Sequence, residues 1–262
     1  MALIQCDFHS DVLNLSTSMS VILPQQTRNQ IGMAGVASAA RHPTLWLLHG
    51  YSDDHTIWCR RTSIERYVSE LGLAVIMPAV HHSYYSDIPN GMAFWEFVSE
   101  ELPAIARGFF PLSDRREDNY VAGLSMGGFG ALKLALHHPH RYAAAASLSG
   151  AVNPSSSIDG AQLSHREKRV LFGDEGGPQR HRADLAAASR RVVESGGDLP
   201  ALYLACGLKD DLLGDNREFV AHLRDIDYPV RYEEDAGRDH TWDYWDETIQ
   251  RVLDWLPLPK RR

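Results

Sequence analysis

The sequence predicts an α/β fold: a doubly wound, mostly parallel sheet with an antiparallel N-terminal edge. Short apolar runs recur along the chain with helical patterns between most of them, as strands buried on both faces require. Three of these runs lead into loops that carry Ser, Asp or His beside Gly, at the C-terminal strand ends where open α/β sheets hold their ligands. A chain of 262 residues with 44% hydrophobic content suffices for one sizeable core, so residues 1–262 are expected to form a single domain.

The elements follow in order. An antiparallel hairpin is expected from residues 12–15 and 19–23, because Met19, Val21 and Leu23 alternate with polar or exposed positions. Parallel strands are expected at 44–48, 74–77, 120–122, 143–148 and 201–206, with a last one near 230–233. A helix follows the run at 120–122, another begins near Asp215, and the final helix spans 242–255, where Trp242 and Trp245 are expected on the packing face. Residues 150–179 break the rhythm with Ser-rich and Gly-rich stretches around a short charged helix. Following the strand next after the Ser125 turn, they are expected to contribute a cap over an acyl or alcohol pocket.

The chemistry starts at Gly123-Leu124-Ser125-Met126-Gly127, a Gly-x-Ser-x-Gly turn between strand and helix. A sharp turn holds its central residue in strained geometry and leaves no room for side chains on its flanks, which pushes the serine hydroxyl into the open. The helix N-terminus beside it supplies N–H groups and positive dipole for a developing oxyanion. Ser125 is therefore the candidate nucleophile. The run 45–48 ends in His49-Gly50-Tyr51, a tight loop suited to a second oxyanion donor, so the backbone N–H groups of Tyr51 and Met126 are the expected pair.

The chain holds 13 histidines and 34 acidic residues, most of which are expected to be solvated. His240 stands out because it lies in a loop between the last strand and the last helix, which suits a general base. Asp210 and Asp211 both follow the strand 201–206; Asp210 is preferred for its spacing after Gly207, and Asp211 stays open as the alternative. The order Ser, Asp, His is that of α/β-hydrolases. Tyr51, Trp58, Tyr84, Tyr85 and Trp95 are candidates to wall a substrate pocket or to serve as core aromatics.

These segments together resemble the esterase D family of α/β-hydrolases. The resemblance rests on Leu47-Leu48-His49-Gly50-Tyr51, Ala122-Gly123-Leu124-Ser125-Met126-Gly127-Gly128, Cys206-Gly207-Leu208-Lys209-Asp210 and Gly237-Arg238-Asp239-His240-Thr241-Trp242, and extends over nearly the whole chain. It is closest to the bacterial tributyrin (acetyl) esterase branch. It implies an α/β-hydrolase fold, Ser125, Asp210 and His240 as catalytic triad, the Tyr51 and Met126 amides as oxyanion hole, short acyl esters (acetyl to butyryl) as substrates, and no cofactor. The related S-formylglutathione hydrolases carry a cysteine shortly after the His-Gly of the loop. Here the loop reads Tyr51-Ser52-Asp53-Asp54-His55, and Cys59 is too distant to match, which makes a glutathione thioester the less expected substrate. Feruloyl and acetyl-xylan esterases and mycolyltransferases are more distant resemblances. A thioesterase and an acyltransferase using the same triad are the alternatives.

Composition narrows the partners. A net charge of −8 argues against affinity for nucleic acid or an anionic membrane surface. The three cysteines are far apart, with no Cys-x-x-Cys pair, so neither a disulfide framework nor a thiolate zinc site is expected. His81-His82 beside Asp87, and His137-His138 with His140, lack a completing carboxylate cluster, so no metal is expected there. No apolar run approaches the roughly 18 residues of a membrane span and no basic leader pattern opens the chain, so the expected location is cytoplasmic. The partner is a small-molecule ester, and the sequence admits a homo-oligomer without specifying one.

Overall fold

The computed structural model describes residues 1–31, 34–37, 41–154 and 163–258. Its strands are β1 (Ala2–Ser10), β2 (Leu15–Leu23), β3 (Thr44–Leu48), β4 (Ala74–Pro78), β5 (Asn119–Leu124), β6 (Ala144–Leu148), β7 (Ala201–Gly207) and β8 (Val230–Asp235). They form one eight-stranded sheet in the order β1-β2-β4-β3-β5-β6-β7-β8. The β1–β2 and β2–β4 pairs are antiparallel and the others parallel, as the sequence predicts.

The central strands are apolar throughout because both of their faces are covered. In β3, Leu45 and Leu47 point into a core shared with Trp58, Tyr244 and Ile249, whereas Trp46 and Leu48 point into the opposite core with Phe129 and Leu132. The first core lies under the short helices Ile57–Arg61 and Ile64–Tyr67 and the last helix, Trp242–Trp255. The second lies under Met126–His137, Leu185–Glu194 and Leu213–Asp225. From β3 the chain runs to β4 on one side, and from β5 to β6 on the other, so the connections diverge between β3 and β5. A crevice opens outside the strand ends at such a switch point, and there the His49 loop and Ser125 stand side by side.

The N-terminal hairpin is displaced from its expected place. Residues 12–14 belong to the turn, not to a strand, and the partner of β2 is β1, in register Ala2↔Leu23 to Ser10↔Leu15. Buried Leu13 made the turn look strand-like, but Asn14 adopts φ 53° and the Glu101 carboxylate accepts the Asp11 and Val12 N–H groups at 2.8 and 3.1 Å. The overlooked strand shows its own alternation, with Ile4, Cys6 and Phe8 packed on the core while Gln5, Asp7 and His9 are exposed.

Of the segment 150–179, residues 155–162 lie outside the described residues. Its helix His165–Phe172 starts with a capping box: the Ser164 hydroxyl accepts the Glu167 N–H, and the Glu167 carboxylate accepts the Ser164 N–H. Phe172 meets Tyr84 edge-on at 5.8 Å, which sets this helix beside the His49–Tyr51 loop. Among the described residues no helix is long and apolar enough to cross a membrane.

Candidate active site

Ser125 follows β5 directly and caps the helix Met126–His137, at φ 53° and ψ −120°. A non-glycine residue in that region costs about 1–3 kcal/mol, and the surrounding turn holds it there: its N–H donates to the Leu148 carbonyl and its carbonyl accepts from Ala151. The flanking glycines are required by close approach. A Cβ on Gly123 would lie 2.4 Å from the Gly127 carbonyl oxygen, and one on Gly127 would lie 2.5 Å from that of Leu48. The spacing of the motif is thus the contact geometry of a turn pressed against β3.

Ser125, His240 and Asp210 form one hydrogen-bonded chain. His240 Nε2 lies 3.1 Å from Ser125 Oγ, and its Nδ1 lies 2.9 Å from Asp210 Oδ2. An ionised carboxylate only accepts, so Nδ1 carries the proton and Nε2 presents its lone pair to the serine. The Asp210 side chain is fully buried while His240 keeps 28% exposure. Burial pushes the Asp210 carboxyl up, but the hydrogen bond and charge of His240, with the Leu212 N–H at 2.9 Å, outweigh it and hold its pKa below the ordinary aspartate value. Asp211 is exposed, so of the two neighbouring acids it is Asp210 that the structure brings to His240. The ring of Trp245 stands edge-on to His240 at 4.8 Å and packs against the imidazole.

A cavity of about 420 Å³ opens over Ser125 and His240, walled by Tyr51, Asp53, Tyr84, Trp242 and Trp245. Met126 is the first residue of its helix, so its N–H has no acceptor within the helix. The Tyr51 N–H is oriented by its neighbour. The Val80 N–H donates to His49 Nε2 at 3.0 Å, which leaves the His49 proton on Nδ1, 2.7 Å from the Gly50 carbonyl oxygen. Within a planar trans peptide the Gly50 C=O and the Tyr51 N–H point in opposite directions. Holding the carbonyl therefore fixes the amide. His49 is buried, which lowers its pKa to about 4 and keeps the ring neutral.

Of the aromatics expected at the pocket, Tyr51 and Tyr84 line the cavity, and Trp58, Tyr85 and Trp95 do not. Trp58 and Tyr85 brace the loop from behind: Trp58 Nε1 donates to the Leu48 carbonyl at 3.0 Å and the Tyr85 hydroxyl to the His49 carbonyl at 2.9 Å. Both are buried because each lies under β3's end with its polar atom committed to backbone. Trp95 is further out, stacked on His138 at 5.5 Å and under the buried Lys133 ammonium at 4.5 Å. Lys133 in turn donates to the Tyr85 carbonyl and the Ser86 hydroxyl, both at 2.8 Å, and so ties down a turn in which Tyr84 and Tyr85 adopt φ of 50° and 48°.

Sequence reasoning missed Asp53 and the bracing role of His49, and read Trp242 and Trp245 as packing residues alone. The tryptophans do pack, edge-on to each other at 5.2 Å, but they also wall the cavity. Their positions two and five residues after His240 were the available signal.

Comparison with known proteins agrees with this architecture. Residues 10–256 match the Esterase family model. An acetyl esterase of Caldicellulosiruptor saccharolyticus is 31% identical over 98% of this chain and 98% of its own length. The substrate-bound structure of fluorophosphonate-binding serine hydrolase F from Staphylococcus aureus is 33% identical with a TM-score of 0.85, covering 97% of this chain and 98% of that one. An S-formylglutathione hydrolase of Paracoccus denitrificans (strain Pd 1222) is 31% identical over 82% of this chain and 83% of its own length. With an eight-stranded α/β-hydrolase sheet and a match spanning nearly all of its length, this chain belongs to the Esterase family and is a carboxylic ester hydrolase.

Proposed function

We propose that the protein is a serine esterase for short acyl esters, acetyl to butyryl, with Ser125 as nucleophile, His240 as general base and Asp210 as the acid that orients it. The observation that carries the reading is the unbroken chain Ser125 Oγ, His240, Asp210, with separations of 3.1 and 2.9 Å, at the floor of the cavity. Ser125 Oγ attacks the ester carbonyl carbon as its proton passes to His240 Nε2. Asp210 stabilises the resulting imidazolium, and the Tyr51 and Met126 N–H groups receive the oxyanion. The imidazolium then protonates the departing alkoxide, leaving an acyl-enzyme, and water activated by the same imidazole releases the acid. No metal or cofactor takes part.

The acetyl esterase relative supports a short acyl group. The S-formylglutathione hydrolase relative supports a second reading, a thioesterase using the same residues. Asp53 weighs against it, since a carboxylate in the cavity wall repels an anionic glutathione moiety. The chain acts as one domain, and in the 150–179 segment the helix His165–Phe172 serves as part of a cap. Three free thiols, dispersed at Cys6, Cys59 and Cys206, support a reducing, cytoplasmic setting.

The test is hydrolysis of p-nitrophenyl esters from acetyl to decanoyl by wild type and Ser125→Ala. The expected result is a steep preference for short chains and a loss of about 10⁴-fold or more in the variant, whose circular dichroism is unchanged. Turnover that survives in Ser125→Ala would overturn the assignment.

A further inference from the structure

Beside the cavity over Ser125 lies a second one of about 500 Å³, beneath the helix His165–Phe172. The two share Tyr51 and Asp53 in their walls. The lining of the second is mostly apolar in area, from Ile88, Phe94, Leu171 and the half-exposed Val170, with His81 and Arg166 among its polar residues. Between them stands the Tyr51 ring, stacked on His82 at 4.3 Å and tilted against Tyr84 at 5.6 Å. Its hydroxyl reaches Glu167 Oε1 across a long 3.5 Å contact, while the other carboxylate oxygen of Glu167 is taken by Ser164. The ring is therefore held by stacking on two neighbours and only loosely by its hydroxyl.

We propose that the Tyr51 side chain is the specificity residue that ends the acyl pocket, and that the mostly apolar cavity under the cap helix is the space a medium-length acyl chain would occupy if Tyr51 were removed. This rests on the esterase reading above and names what limits its substrate. The backbone and side chain of Tyr51 then have separate duties: the N–H serves the oxyanion, which any residue but proline supplies, and the ring sets chain length. Each further methylene buried against apolar lining strengthens binding about fourfold, so opening the wall shifts preference progressively with chain length.

The experiment compares kcat/KM for p-nitrophenyl acetate, butyrate and octanoate in wild type, Tyr51→Ala, Tyr51→Leu and the double variant Tyr51→Ala/Val170→Trp. Truncating Tyr51 is expected to raise the octanoate-to-acetate ratio by at least about tenfold, more in the alanine variant than in leucine. Refilling the second cavity from Val170 is expected to return the ratio toward wild type. Labelling by a small alkyl fluorophosphonate, which phosphonylates Ser125 with loss of fluoride, shows that each variant keeps its folded site. A uniform loss at all chain lengths, or a ratio unchanged in both truncations, would overturn the proposal and leave Tyr51 as a brace. A wild type that neither hydrolyses any of these esters nor takes the label would fail the esterase reading itself, a separate outcome.

Discussion

His240 and His49 stand at the same end of the sheet, on opposite sides of Ser125, yet their surroundings make them different chemical groups. His240 sits in a loop after β8, 28% exposed, with one nitrogen on a buried carboxylate and the other on a serine. His49 lies at the end of β3 with both nitrogens committed to backbone, and burial holds its pKa near 4. The first has the buried Asp210 carboxylate as a partner, which is what the general base we propose requires. The second cannot be charged without loss of its bond from Val80, so it serves as a neutral clamp on the Gly50–Tyr51 peptide. Position relative to a carboxylate, not residue type, separates the proposed base from the brace.

The contrast can be broken most directly at Asp210. Asp210→Asn is expected to lower kcat by roughly 10³–10⁴-fold, because an amide no longer enforces the Nδ1–H tautomer. Asp211→Asn, one residue away and exposed, should change turnover less than about twofold; steady-state kinetics on p-nitrophenyl acetate compare the two. Equal effects would mean that His240 draws its orientation from elsewhere.

His49 offers the next largest effect. His49→Leu removes the clamp but no reacting group, and a drop of about 10- to 100-fold in kcat with KM nearly unchanged is expected, as for one weakened oxyanion donor. A drop as large as that of Asp210→Asn would assign His49 a role in proton transfer.

The last effect is on stability, not turnover. Folded His49 stays neutral down to about pH 4, whereas in the unfolded chain it binds a proton near its ordinary 6.5. Between those values the unfolded state holds more protons, so stability falls as pH drops from about 6.5 to about 4 and flattens below, by on the order of 3 kcal/mol for this group. His137 and His138, also lowered to about 4 by burial, act in the same direction. Urea unfolding at pH 7, 6, 5 and 4.5 should show that slope, shallower in a His49→Asn variant that is already less stable at pH 7. An identical slope in the variant would remove His49 from the account.

The parallel strands were legible from sequence because strands covered on both faces must be apolar throughout, and 44–48 was placed without error. Local chemistry also exposed Ser125, whose glycines record contacts within a few residues and with β3. The hairpin failed at 12–14 because a buried leucine in a turn and a strand residue look alike until Glu101, some 90 positions later, takes up the turn's amides. The aromatics, left open as pocket walls or core, were undecided for a related reason. Trp58 and Tyr85 have the composition of pocket walls, and only the position of β3 turns their polar atoms onto its carbonyls.

By itself, then, the sequence determined what is encoded locally: strand periodicity, the strained serine turn, the order of serine, acid and histidine, and a resemblance to the esterase D family. Tertiary structure decided that Asp210, which the sequence only preferred over Asp211, meets His240, and it alone decided that His49 is a neutral clamp and that Tyr51 lines two cavities. These depend on distances between residues far apart in the chain, and such distances are fixed by packing across the sheet's edge, which no local pattern records.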